Sequence, residues 1–302
     1  MRFSAGPHSL PCSSRCCRVA WRVRRNLCTL LFFIGVIVVA QSARAEWETT
    51  TFGSRQDFEP LLADPKEPRF FASVQQLDGG KPLNRFQAGV VGLGGNFELV
   101  RWREQDSGEA WQLGLTSGIC ALFKLRDQAS DLVNSDYLAG ISVSHRNGSR
   151  SYRARLTHQS SHLGDEFLIK SDIERINYSF EELDLTASQF WGDWRAYGGG
   201  GYIVRSKPRD IDRTSLVAGG EYHGSKTLWG HSRFAAGIHA DLQQQHSWRP
   251  NLHVVLGLMF GNPRKSDRQI GVQLEAYDGY SPWGQFYDVK IRSYGSTITF
   301  RF

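Results

Sequence analysis

The sequence predicts an all-β fold, an antiparallel up-and-down transmembrane β-barrel of about twelve strands. Three observations lead there. No apolar segment after residue 45 is long enough for a membrane-spanning helix, which needs about 20 residues. Aromatic-rich stretches of about ten to fifteen residues instead alternate with turn chemistry along the rest of the chain. The last stretch, Thr297-Ile298-Thr299-Phe300-Arg301-Phe302, sends its apolar side chains to one face and its polar ones to the other.

Residues 1–45 read as a cleaved signal peptide. They hold seven Arg and no acid, then the apolar run Leu30 to Ala40, then Ala43-Arg44-Ala45, a small-x-small cleavage site. No Cys follows that site, so a lipoprotein is not expected. Of the 36 Lys and Arg, seven lie in this stretch, so the mature chain balances its 30 acids at a net charge near −1. The basic character therefore belongs to the leader, and nothing points to nucleic-acid binding. Cys12, Cys16, Cys17 and Cys28 lie in the leader too, leaving Cys120 with no partner for a disulfide.

Residues 46–69, with Pro60, Pro65 and Pro68, read as an irregular periplasmic N-terminal segment, and 70–302 as the barrel. The strands are expected near 70–77, 87–103, 110–124, 132–145, 151–161, 173–190, 194–205, 214–223, 232–243, 250–260, 268–278 and 287–302. With both termini periplasmic, the even-numbered connections should be the short turns. Asp106-Ser107-Gly108, Arg146-Asn147-Gly148-Ser149 and Trp191-Gly192-Asp193 suit that, whereas the eighth (near 224–231) and tenth (near 261–267) look longer.

Facing follows from period-two patterning. Leu252, Val254, Leu256, Leu258 and Phe260 share one face; so do Phe234, Ala236, Ile238, Ala240 and Leu242; so do Tyr152, Ala154 and Leu156. Apolar-out, charged-in is the reverse of a soluble barrel. The interior is then expected to hold Arg153, Arg155, Arg175, Glu221, His239, Asp241 and Glu275, a filled lumen rather than a porin channel. Trp191, Trp194, Tyr197, Trp229 and Trp248 suit an interfacial girdle. Gly198 to Gly201 falls within a strand with no helix after it, so it marks a bend or a close approach rather than a phosphate loop.

Three segments resemble a bacterial family of unknown function, domain of unknown function 1207, whose members look like outer-membrane barrels. They are Leu61 to Phe70 (LLADPKEPRF), His158 to Phe167 (HQSSHLGDEF) and Tyr277 to Phe286 (YDGYSPWGQF). The resemblance implies a fold and a location in a Gram-negative-type envelope, and supplies no activity. The terminal Phe302 resembles the signal read by the outer-membrane assembly machinery, which makes that machinery an expected partner beside the outer-membrane lipids.

One segment invites a chemical reading. His158 and Ser160 share the parity of Tyr152, Ala154 and Leu156, hence the lipid face near the outer leaflet. Glu174, read in register with Ile176, Tyr178 and Phe180, would be the carboxylate on the next strand. The set resembles outer-membrane phospholipase A and the lipid A deacylase, which present a His-x-Ser pair on one strand and an acidic or amide partner on the next. The resemblance would make Ser160 the nucleophile, His158 the base and Glu174 (or Asn177) the orienting group. Ser161 stands where those families usually carry Asn, which leaves the oxyanion donor unassigned. Asn177 has lumen parity and would need a bulge.

Two other readings compete. His158 to His162 can be the polar rim of a strand leaving the membrane, bonded to loop or lipopolysaccharide headgroups. His158, His162, Asp165 and Glu166 can also be weighed as a divalent-metal set. The sequence thus predicts a structural or surface-interaction barrel, with a lipid-acyl hydrolase as the alternative. No cofactor is expected, except calcium for the hydrolase.

Overall fold

The computed structural model describes residues 46–125, 130–171, 173–261 and 268–301. The signal peptide reading of 1–45 and the terminal Phe302 lie outside these residues. Among them no helix is long and apolar enough to cross a membrane. The described residues are mostly strand instead.

A short strand β1 (Trp47–Thr51) precedes twelve long ones: β2 (Phe70–Gly79), β3 (Arg85–Glu104), β4 (Ala110–Lys124), β5 (Leu132–Asn147), β6 (Arg150–Leu163), β7 (Tyr178–Trp191), β8 (Trp194–Lys207), β9 (Thr214–Leu228), β10 (Ser232–Gln243), β11 (Pro250–Phe260), β12 (Gln269–Tyr280) and β13 (Lys290–Arg301). Each pairs antiparallel with its sequence neighbour, and β13 pairs with β2, Phe300 opposite Phe70, which closes the barrel. Among the described residues the one α-helix, α1 (Asp165–Ser171), sits between β6 and β7.

The twelve barrel strands follow the predicted ones closely. The exceptions have local causes. β7 starts at Tyr178 rather than near 173, because Gln285 holds the preceding segment off the sheet: Ile176 N donates to Gln285 Oε1 (3.1 Å), and Gln285 Nε2 donates to Ile176 O (2.8 Å). β9 runs on to Leu228 by pairing with β10, so the eighth connection shrinks to three residues and joins the short turns. Gly148 and Gly192 take positive φ (57° and 60°) as the first central residue of two-residue turns, where only a glycine is unstrained.

The two faces of the wall differ as the period-two pattern predicts. Leu156, Leu183, Leu185, Ile238, Val272, Leu274 and Ile298 are exposed on the outside, and Arg153, Arg195, Glu221, His239 and Glu275 are buried inside. Two expectations are corrected. Tyr197 points inward, buried against His239 Nδ1 (3.0 Å), so it belongs to the lumen and not the girdle. Arg175 lies in the connection before β7, exposed, and donates to Asp165 (2.9 Å).

The principal departure concerns residues 46–69. After β1, which pairs with Val100 to Glu104 of β3, the chain enters the lumen, crosses it and returns to start β2. Asp57 accepts from Arg101 Nε and Nη2 (2.9 Å each). Leu62 N donates to Glu221 Oε1 (2.6 Å), while Arg195 bridges Glu221 Oε2 (3.1 Å) and the Glu59 carbonyl (2.8 Å). His253 Nδ1 meets the Ala63 carbonyl (2.7 Å). Glu67 accepts both guanidinium nitrogens of Arg153 (2.7 and 2.9 Å). Phe58 packs on Leu61 and Tyr197 and takes the Arg153 guanidinium over its ring at 4.4 Å. The lumen is therefore filled by a salt-bridge lattice whose second half is the chain's own N-terminal segment.

The other end of the lumen is capped by the β12–β13 loop. Trp283 and Phe286 are buried with Leu122, Val133, Leu163 and Phe167 of α1 in the main apolar cluster. Each such side chain contributes roughly 1.5–3 kcal/mol on burial. This is a core placed in the mouth of a barrel.

Candidate functional site

The three family-resembling segments converge inside the barrel. Asp136 on β5 accepts from Lys66 Nζ (2.6 Å) of the lumenal segment, from Asn134 Nδ2 (2.8 Å) and from Gly284 N (3.3 Å) of the mouth loop. Gln285 Nε2 donates to the Ser161 carbonyl (2.8 Å), and Ser161 Oγ to Asn134 Oδ1 (3.1 Å). So the inward half of the His158–Phe167 segment, Gln159 and Ser161, is occupied by architecture. Lumenal-segment residues line a chamber on either side: about 200 Å³ toward the mouth, with Arg155, Glu182 and Asp184, and about 500 Å³ toward the other end, with Arg69, Glu98 and Phe52.

The outward half of β6 has no such partners in the core. Leu156 pairs with Leu183 on β7, His158 with Glu181 and Ser160 with Ser179, rung by rung. His158 Nδ1 lies 3.0 Å from Glu181 Oε1, the two side chains half-exposed. With Nδ1 engaged, Nε2 is the nitrogen left to accept a proton. On the other flank Ala139 faces His158 and Tyr137 faces Ser160. The pair therefore stands on the first polar rung above the apolar belt, with an exposed Tyr one rung higher.

The structure thus joins His158 to a carboxylate, but to Glu181. Glu174 is exposed in the connection before β7, and Tyr178 and Phe180, read as its outward companions, line the inner chamber. The pattern misled because the apolar rings of Tyr178 and Phe180 suggest an outward face, whereas Tyr178 is stacked on Tyr287 of the mouth loop and both line the chamber. Counting outward from the Trp191–Gly192–Asp193 turn places Glu181 on the face of Leu183 and Leu185. Ser160 makes no hydrogen bond to His158 or Glu181 among the described residues. Asn177 is exposed in the same connection as Glu174. His162 turns outward to Tyr137 (ring centroids 5.7 Å) and Asp165 to Arg175, and no group of three or more metal-ligating side chains gathers among the described residues.

A second outward pair provides a reference. His145 Nε2 lies 2.7 Å from Glu109 Oε1 near the opposite rim, its ring stacked on Trp111 at 4.3 Å and 6.0 Å from Tyr152.

The model of the family described as a protein of unknown function, DUF1207, matches residues 36–302. No protein of curated function matches the chain in sequence. Among solved structures, the fold is similar to outer membrane phospholipase A from Escherichia coli, at 14% identity and a TM-score of 0.54 over 77% of this chain and 92% of that one. It is similar also to the Salmonella typhi outer membrane phospholipase dimer with bound calcium, at 13% identity and 0.54 over 81% and 94%. At these identities the likeness is one of fold: a closed, twelve-stranded barrel of the outer-membrane kind.

Proposed function

Because the chain belongs to the DUF1207 family, whose description assigns no activity, we propose from the geometry that it is a non-conducting barrel of the bacterial outer membrane, acting through its outward surfaces rather than its lumen. One observation carries this: residues 57–67 cross the lumen on buried, bidentate ion pairs. A channel would need that path free. In planar bilayers the refolded barrel is expected to be silent, and the variant Asp57→Asn/Glu67→Gln to open intermittently. A steady conductance of the wild type would sink the reading.

A second reading rests on a different observation, the His158–Glu181 pair in register beside Ser160 at the top of the apolar belt. That is the depth at which the ester bonds of a lipid lie. Ser160 Oγ would attack the acyl carbon while His158 Nε2 takes its proton, held by Glu181, and would return it to the departing alcohol. Water then repeats the sequence to free the fatty acid. The wild-type barrel should release fatty acid from labelled phospholipid or lipid A, with and without calcium, and Ser160→Ala should lose roughly a thousandfold or more in rate. Equal rates in the two proteins would remove Ser160 from the chemistry.

A further inference from the structure

On the loop end of the barrel, away from the His158 face, four cations surround one cleft. Lys81, Arg85, Lys124 and Lys170 line a space of about 590 Å³ together with Leu83, Phe167 and Ile173; Asp131 is the one acid among the described lining residues. The cleft is built rather than incidental. Its floor is the Gly79 to Asn84 turn, closed by Gly79 N to Asn84 O (3.0 Å), Leu83 N to Gly80 O (3.0 Å) and Asn84 Nδ2 to Pro82 O (3.2 Å). Its wall is α1, fixed by Phe167 in the mouth cluster, with Lys170 donating to Asp131. Asp78 stands across β2–β3 from Arg85 and shares its field.

Its height and neighbours say what it faces. Arg85 lies on the outward side of β3, four residues beyond Gly89, whose cross-strand partners are Val74 and Phe123 at the top of the apolar belt. Four residues of strand span about 13 Å, which sets Arg85 in the headgroup layer rather than in the acyl region, while Lys124, opposite Ala88, enters the cleft from lower on the wall. Beside Lys170, α1 exposes Ile169, 82% accessible, an apolar side chain at the same rim. Cations next to an exposed aliphatic group suit a ligand that is anionic at its head and apolar at its base.

We propose that this cleft binds the phosphate of a phosphorylated glycolipid in the outer leaflet. A phosphate monoester carries a charge of about −1.5 to −2 with three acceptor oxygens, a match for Lys and Arg converging from the β2–β3 turn, the ends of β3 and β4, and α1. The inference rests on the reading that the loop end faces outward, and it names the lipid that end would contact.

The test measures binding of the refolded mature barrel, in detergent, to bis-phosphorylated lipid A, to the same lipid A after phosphatase treatment, and to inorganic phosphate. The wild type should prefer the phosphorylated lipid by at least about tenfold. The double variant Lys81→Ala/Arg85→Ala should lose that preference, and Lys81→Arg/Arg85→Lys should keep it. Equal binding of the two lipids, or an unchanged preference in the alanine variant, overturns the site. Inorganic phosphate binding as tightly as the lipid overturns the glycolipid assignment. Orientation is checked apart: Lys81→Cys should react with a membrane-impermeant maleimide on intact cells, and labelling only in broken cells would overturn the outward reading while leaving the detergent result standing.

Discussion

Among its described residues the barrel carries two outward His–carboxylate pairs, and they differ in a useful way. His145–Glu109 is the shorter contact, and its imidazole is stacked on Trp111. It sits next to the turn between β3 and β4, among aromatics that anchor a barrel at its interface. His158–Glu181 has no ring stacked on it among the described contacts, and its neighbours are Ala139, Leu156, Leu183, Ser160 and the exposed Arg205, which faces Glu181 from β8. One pair is explained by where it is. The other sets His158 and Glu181, with Arg205 across from Glu181, beside a hydroxyl and exposed leucines, and on the outer-membrane reading proposed above ionisable groups so placed mark function. A His beside a carboxylate is thus weak grounds for chemistry; what the His can reach decides.

That contrast can be broken at several points. The largest effect is expected on the inner wall rather than at either pair. Glu67→Ala leaves Arg153 buried without its carboxylate, and removing one partner of such a pair typically costs about 3–5 kcal/mol. Denaturant unfolding of the barrel in micelles should register it, and a loss under about 1 kcal/mol would mean the lumenal segment is held by packing alone. Next, Glu181→Gln should slow acyl release by about a hundredfold or more if the pair orients a base, as third members of such triads do. Glu109→Gln, the matched change at the other pair, should leave the rate within about twofold. Equal effects from the two would erase the distinction drawn here, and with it the hydrolase reading.

Much of this was legible in the chain. An apolar outside and a charged inside impose a period of two that survives in Val254, Leu256 and Leu258, so twelve strands and the facing of most of them could be read directly. What the pattern cannot carry is partnership across long separations. Arg153 and Glu221 were visible as interior charges, but their partners Glu67 and the Leu62 backbone lie 86 and 159 residues away, in a segment whose prolines suggest only irregularity. The resemblance of Leu61 to Phe70 to the family was the available signal: a mere lead-in has no reason to carry a family's pattern. Glu181 was missed for a smaller cause. Tyr178 and Phe180 look outward-facing by their apolar rings yet line the inner chamber, Tyr178 stacked on Tyr287 of the mouth loop, and no local rule reports a contact made 109 residues later.

The path of residues 52–69 has one more consequence. The segment goes in beside β1 and comes out into β2, and both lie at the end of the barrel where β13 finishes. It is a bight rather than a thread: neither end passes through the far opening. Such a loop can be drawn out in one piece from the side it entered, with every wall strand still paired and nothing to untie. The stopper and the vessel are one chain, and the vessel need not be opened for the stopper to leave.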